Sequence, residues 1–162
     1  IVLQGFYTAA ALVAMLIAGY FYKGVAKAIS LWIPYASATQ GSSTYFFSNS
    51  QLFHLDKVFY AGLAYLFVFT VVYVFARFIG IFVNLVPYPN KLDTPRYNVI
   101  SGAIAAFITL FGIEMCLTIL ATMPLAEVQE RLNSSALIRF IINYTPITSS
   151  VLKHFWVTNV IG

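Results

Sequence analysis

Charge is what this chain has least of. Only 9% of its 162 residues are Asp, Glu, Lys or Arg, against roughly 25% in an ordinary soluble domain, and the mean hydropathy is +0.84. So few ions cannot cover a globular surface, which excludes a soluble domain and implies an integral membrane protein. The nine basic residues, set against five acids, are scattered with no consecutive run. That scatter suits anionic lipid headgroups and argues against nucleic acid, which calls for a concentrated basic face. With one cysteine, Cys116, there is no intrachain disulfide. Catalytic signatures are also missing: no GxxxxGK[ST] phosphate loop, HExxH, GxSxG or CxxC is present. His54 and His154 have no second ligand at metal spacing. No cofactor, metal or enzymatic activity is expected, and the length leaves room for one bundle of spans without a separate soluble domain.

Long apolar runs are what is there. A bilayer core about 30 Å thick needs roughly 20 apolar residues in a helix. Residues 1–22 are uncharged, with Gly5, Ala9, Ala10, Ala14 and Ala18 offering small side chains for close helix approach. A second span follows Lys57 and is expected over 58–77. The apolar character continues to Val86, but a helix from Val58 to Val86 would be about 43 Å long, so the membrane helix is expected to end near Arg77 and the remainder to turn along the interface. A third span is expected over 96–123, started by a Thr94 cap with Pro95 at the first helical position and stopped by Pro124. The chain opens on Ile1, without a methionine and already inside an apolar run, so residues are expected to precede it.

Between and beyond the spans the periodicity changes. Val25, Ala28, Ile29, Trp32 and Ile33 recur at helical spacing opposite Lys23, Lys27 and Ser30, predicting an amphipathic interfacial helix over 23–33. The loop from Tyr35 to His54 is polar and uncharged, yet Tyr45, Phe46, Phe47 and Phe53 argue that it folds against the headgroup region. A second interfacial helix is expected over 125–144, with Glu127, Glu130, Arg131, Asn133 and Ser134 as its wet side, and a third over 149–159. The architecture implied is an all-α membrane protein of about three transmembrane helices plus amphipathic interfacial helices. Orientation stays open: the basic residues favour the face holding the first loop and the tail as cytoplasmic, whereas the polar, uncharged loop resembles an exterior one.

One acid, Glu114, interrupts the third span. An ionised carboxylate near a helix centre costs about 2.5–3.5 kcal/mol on insertion scales, so such residues face a protein interior or a wet cavity. On a helical wheel Ala103, Phe107, Leu110, Thr118 and Ala121 share its face, which mixes small, polar and apolar groups as a helix contact does. Glu114 is therefore expected to point inward. Two roles stay open: a site for a proton, a cation or a cationic substrate group, or a hydrogen-bonded acid that joins helices, with Thr118 or a tyrosine of the second span as partner. Arg77 is the other intramembrane candidate, snorkelling from a span end or touching a lipid phosphate or substrate. Some 10 Å of depth separates it from Glu114, which disfavours a direct pair. Ser101, Gly102 and Ala106 mark the first half of the third span as a close-packing surface.

Three stretches carry a resemblance. IVLQGFY at the start, NVISGAIAA from Asn98 to Ala106, and LNSSALIRFIINYTP in the tail are similar to the bacterial colicin V production (CvpA) family, most of all to its members from Gram-positive bacteria. The resemblance implies an inner-membrane, multi-pass domain of about four helices, the first of them ahead of Ile1. It also implies a part in producing or exporting a peptide toxin or bacteriocin, or in envelope homeostasis. The partners so implied are the lipid bilayer, further copies or other membrane proteins, and a peptide toxin or export machinery. The family tends to read Asp-Arg before glycines four apart at the head of its last span. Here Asn98-Val99 replaces the pair, Gly102 keeps the first glycine and Ala106 replaces the second, with Asp93 and Arg96 as nearby substitutes. Gln4 stands where the family carries an acid.

Overall fold

The computed structural model describes residues 2–35, 42–47, 54–83 and 95–145. Along them run α1 (Val2–Ile29), α2 (Leu55–Val83), α3 (Pro95–Ala121), α4 (Ala126–Ser134) and α5 (Ala136–Tyr144), and no strand occurs among the described residues. Three helices are long and apolar enough to cross a membrane: Leu3–Ile29, Leu55–Phe82 and Pro95–Ala121. The protein is an all-α, multi-pass membrane protein.

α1 and α2 form an antiparallel hairpin, the most extensive helix pair in the molecule. Small residues make it possible: Ala11, Ala14 and Ala18 on α1 and Ala61, Gly62 and Ala64 on α2 are buried. Of the small-residue row expected on α1, Ala14 and Ala18 are buried, whereas Gly5 and Ala9 are exposed. Two tyrosines tie the hairpin to itself. The Tyr65 hydroxyl donates to the Met15 carbonyl at 3.2 Å, and the Tyr60 hydroxyl donates to the Ile33 carbonyl at 2.7 Å. At the far end Gly80 lies so close to the Tyr7 ring that a Cβ there would overlap it. Glycine is required here by proximity, since only the missing side chain lets the ring in.

α3 joins at its C-terminal half. Met115 and Ile119 bury with Phe59 of α2, and Leu63, Leu66, Phe111 and Met123 pack around them. Ala121 buries with Leu132 of α4 and Ile142 of α5, against which Phe46 and Phe47 also pack. The C-terminal ends of α1 and α3, the start of α2, α4, α5 and residues 42–47 thus gather at one end of the bundle, the capped end. The opposite end holds Tyr7, Gly80 and the start of α3.

Helix boundaries differ from the sequence expectation in several places. The helix expected over 23–33 is not separate: α1 continues through Lys23 and Lys27 to Ile29, and only 30–33 form a turn, closed by backbone bonds from Ser30, Leu31, Trp32 and Ile33. Likewise α2 does not stop near Arg77 but runs unbroken to Val83. Both expectations cut the helices to the hydrocarbon thickness. No proline interrupts either stretch, and helices of 28 and 29 residues are about 42–44 Å long, which matches a bilayer of about 40–45 Å with its headgroup regions. The single helix expected over 125–144 is two, because Ser135 is extended (φ −91°, ψ 116°) and caps α5 by accepting from the Ile138 amide. The third span ends at Ala121. The helix expected over 149–159 lies outside the described residues.

Candidate functional site

The polar residues of the capped end line up on the last two turns of α3. Glu114 and Thr118 on α3 and Thr122 one residue past its end are spaced four apart and all are buried, Glu114 and Thr122 completely. Each threonine satisfies its hydroxyl locally. Thr118 donates to the Glu114 carbonyl at 2.8 Å and Thr122 donates to the Ile119 carbonyl at 2.6 Å. Such back-bonding keeps a hydroxyl paired where water is scarce. The Thr118 expected as a partner for the Glu114 carboxylate therefore bonds its main chain instead.

A helix ends with four carbonyls that lack an intrahelical donor, and in a membrane setting each unpaired one costs several kcal/mol. Side chains from α4 and from the connection between α1 and α2 close the end of α3. Gln129 of α4 is buried, and its amide nitrogen donates to the Ala121 and Met123 carbonyls at 3.0 and 2.8 Å. Its amide oxygen accepts from the Tyr45 backbone N–H at 3.0 Å. The Tyr35 hydroxyl takes the Thr122 carbonyl at 2.6 Å. Burial raises the Tyr35 phenol well above its ordinary pKa, and the nearby negative charge of Asp56 and then Tyr60 raise it further. The proton that Tyr35 donates is thus held firmly. Its ring packs on Phe59 and Tyr60 at 5.1 and 6.2 Å between centroids. Of the aromatics expected to fold the first loop against the headgroup region, Phe46 and Phe47 pack on protein, covering Ala121, Leu132 and Ile142, while Tyr45 is exposed and Phe53 lies outside the described residues.

Sequence reasoning missed Gln129 and the hydroxyl role of Tyr35. A signal for Gln129 exists. Leu125, Val128, Gln129 and Leu132 fall at i, i+3, i+4 and i+7, so Gln129 sits on the apolar period of its helix while every charge lies off it.

The other candidates lie elsewhere. Arg77 is exposed, its guanidinium 4.4 Å from the centroid of the Tyr7 ring, a cation–π distance. It is 18 residues along α2 from Phe59, which packs on Met115 beside Glu114, so about 27 Å of helix separates the two levels. The structure does not bring Arg77 and Glu114 together. Gly102 and Ala106 do not pack within the chain: both are exposed, and a Cβ at Gly102 would meet nothing within 4 Å, whereas Ser101 is half-buried and its hydroxyl is shielded without a hydrogen-bond partner. On the Glu114 face itself Ala103 and Phe107 are exposed, and only Thr118 and Ala121 are buried. The reason is that α3 meets its neighbours at one end. Arg96 is exposed in its first turn, and Asp93 lies outside the described residues. Among the described residues no group of three or more His, Cys, Asp or Glu side chains is placed to hold a metal.

Three spans, one of them carrying a buried acid and closed at its C-terminal end by side chains, define a multi-pass membrane protein. Residues 1–146 match the family model described as colicin V production protein, and the chain belongs to that family, which is not a family of enzymes. It is similar to the uncharacterized transmembrane protein YshB of Bacillus subtilis (strain 168), with 29% identity over 142 residues, 86% of this chain and 76% of that one. No solved structure matches it.

Proposed function

We propose that the chain is a non-enzymatic membrane assembly protein that assists production or export of a peptide toxin or bacteriocin, or maintenance of the envelope, through helix–helix contact. The observation that supports this reading is the uncovered small-residue face of α3. Gly102 and Ala106 are exposed and would let a second backbone approach closely, and a Cβ at Gly102 would meet nothing of this chain within 4 Å. The occupant is another copy or another membrane protein. The test is Gly102→Leu and Ala106→Leu in the native membrane, with toxin export, envelope integrity and crosslinked oligomer as readouts. Loss of assembly together with loss of either activity supports the reading, and normal assembly and activity in both variants would sink it.

A second reading rests on Glu114. A fully buried acid in a span suits a proton- or cation-coupled carrier or channel, which three spans can form only as an oligomer. Glu114→Gln and Glu114→Ala in reconstituted protein separate the roles. Flux lost in the Gln variant with the oligomer intact supports a carrier, whereas disassembly of the Ala variant without flux in any form supports an acid that joins helices.

A further inference from the structure

α4 and α5 are adjacent helices of nine residues each, yet they are built for different solvents. α4 carries Glu127, Glu130, Arg131 and Ser134 around an open groove, a surface made for water. α5 carries one cation and is apolar on two sides. Ile142 on one side is buried against Ala121 and Leu132. On another side Leu137 and Tyr144 are 68% and 71% exposed, and Phe140 is also exposed, its ring stacked on that of Tyr144. At 100° per residue the three exposed side chains fall within about 60° of one another, and exposed Arg139 stands roughly 130° from their centre. A helix bearing a bundle-facing side, an outward apolar side and one cationic edge suits the boundary between acyl chains and headgroups.

Its position fits that boundary. α5 packs on the C-terminal end of α3, the level at which a spanning helix leaves the hydrocarbon. At the same end Trp32 is 86% exposed in the turn after α1, an aromatic of the kind enriched at membrane surfaces. Lys23 and Lys27, one turn apart on the last part of α1, are exposed there too.

We propose that α5 is an anionic-phospholipid recognition helix: Leu137, Phe140 and Tyr144 enter the acyl layer of one leaflet and Arg139 binds the headgroup phosphate, with Lys27 adding to the local positive field. The charge is complementary and the apolar face supplies the depth. Each basic residue near an anionic surface strengthens binding about five-fold.

Fluorescence quenching in nanodiscs tests this directly, with the full chain and one reporter tryptophan. Phe140→Trp is made in a Trp32→Phe, Trp156→Phe background, and acyl-brominated phosphatidylglycerol is compared with phosphatidylcholine brominated at the same carbons. The indole at position 140 is expected to be quenched by both lipids, and about five-fold more effectively per mole fraction by the phosphatidylglycerol. Arg139→Gln is expected to remove that preference while leaving quenching by phosphatidylcholine intact, which also shows that the variant is folded and inserted. Added inorganic phosphate is expected to leave the preference unchanged, and its loss there would overturn a lipid site in favour of a phosphate site. Equal quenching by the two lipids overturns the recognition. Quenching by aqueous acrylamide alone overturns the insertion. Protection from lipid and acrylamide together, in a particle holding two copies, overturns it in favour of a second chain as occupant.

Discussion

The two ends of this bundle are held by different means. At the capped end side chains from four segments converge on the terminus of α3, with Gln129, Tyr35 and Thr122 closing its carbonyls and Phe46, Phe47, Leu132 and Ile142 covering Ala121. At the opposite end α1 and α2 meet through one glycine and one ring, and α3 stands largely uncovered, with Val99 73% exposed. One end is specified by hydrogen bonds and a small core, and the other by the fit of Tyr7 against Gly80 and the stacking of Arg77 on the Tyr7 ring. Polar closure accumulates where a helix must end near a membrane, because orphan carbonyls are costly there, whereas a helix passing through lipid needs only apolar side chains.

The largest effect is expected from Gln129→Leu. It removes the donor to one buried and one part-buried carbonyl and the acceptor for the Tyr45 amide, and unpaired buried groups cost about 1–3 kcal/mol each. A loss of about 3 kcal/mol in SDS-titration unfolding is expected, with α3 loosened at the capped end. Next comes Gly80→Ala, which drives a Cβ into the Tyr7 ring. A cost of about 2 kcal/mol, in the range for overpacking, is expected at the opposite end. Tyr7→Ala in the same chain should recover most of it, and a double-mutant cycle measures that coupling.

A smaller change is expected from Tyr35→Phe, which strips the Thr122 carbonyl of its donor at about 1 kcal/mol. It also has a pH signature. The folded phenol is raised above its unfolded value, so the folded state binds that proton more tightly. The associated stability is complete below an ordinary phenol pKa of about 10 and is lost as the pH rises beyond it. Alkaline unfolding curves of the Phe variant should therefore fall less steeply above that pH than those of the parent. Smallest is Gly102→Leu, which should leave the unfolding of a monomer in detergent within about 0.5 kcal/mol of the parent, because nothing in the chain occupies that space. A large loss there would erase the contrast between the ends.

Much of this was legible beforehand, and the gaps have a common cause. The three spans, the Pro95 start of α3 and the inward turn of Glu114 follow from hydropathy, capping and a helical wheel, all of which are local. The continuation of α1 past Lys23 and α2 past Arg77 was misjudged because the helices were cut to the hydrocarbon thickness, although a helix can run on through the headgroup region with its long cationic side chains reaching water. Gln129 was passed over because its worth lies in two carbonyls six and eight residues back and an amide 84 residues away. The small residues at 102 and 106 were legible as a surface but not as an uncovered one.

The sequence by itself determined that the chain lives in a membrane, how many times its described part can cross, and which family it belongs to, since hydropathy, helical period and short motifs all act along the chain. Which half of α3 is sheltered was decided only by tertiary structure. Coverage depends on where Gln129, Tyr35, Phe46 and Ile142 arrive from distant positions, and a hydrogen bond between segments leaves no period in either one.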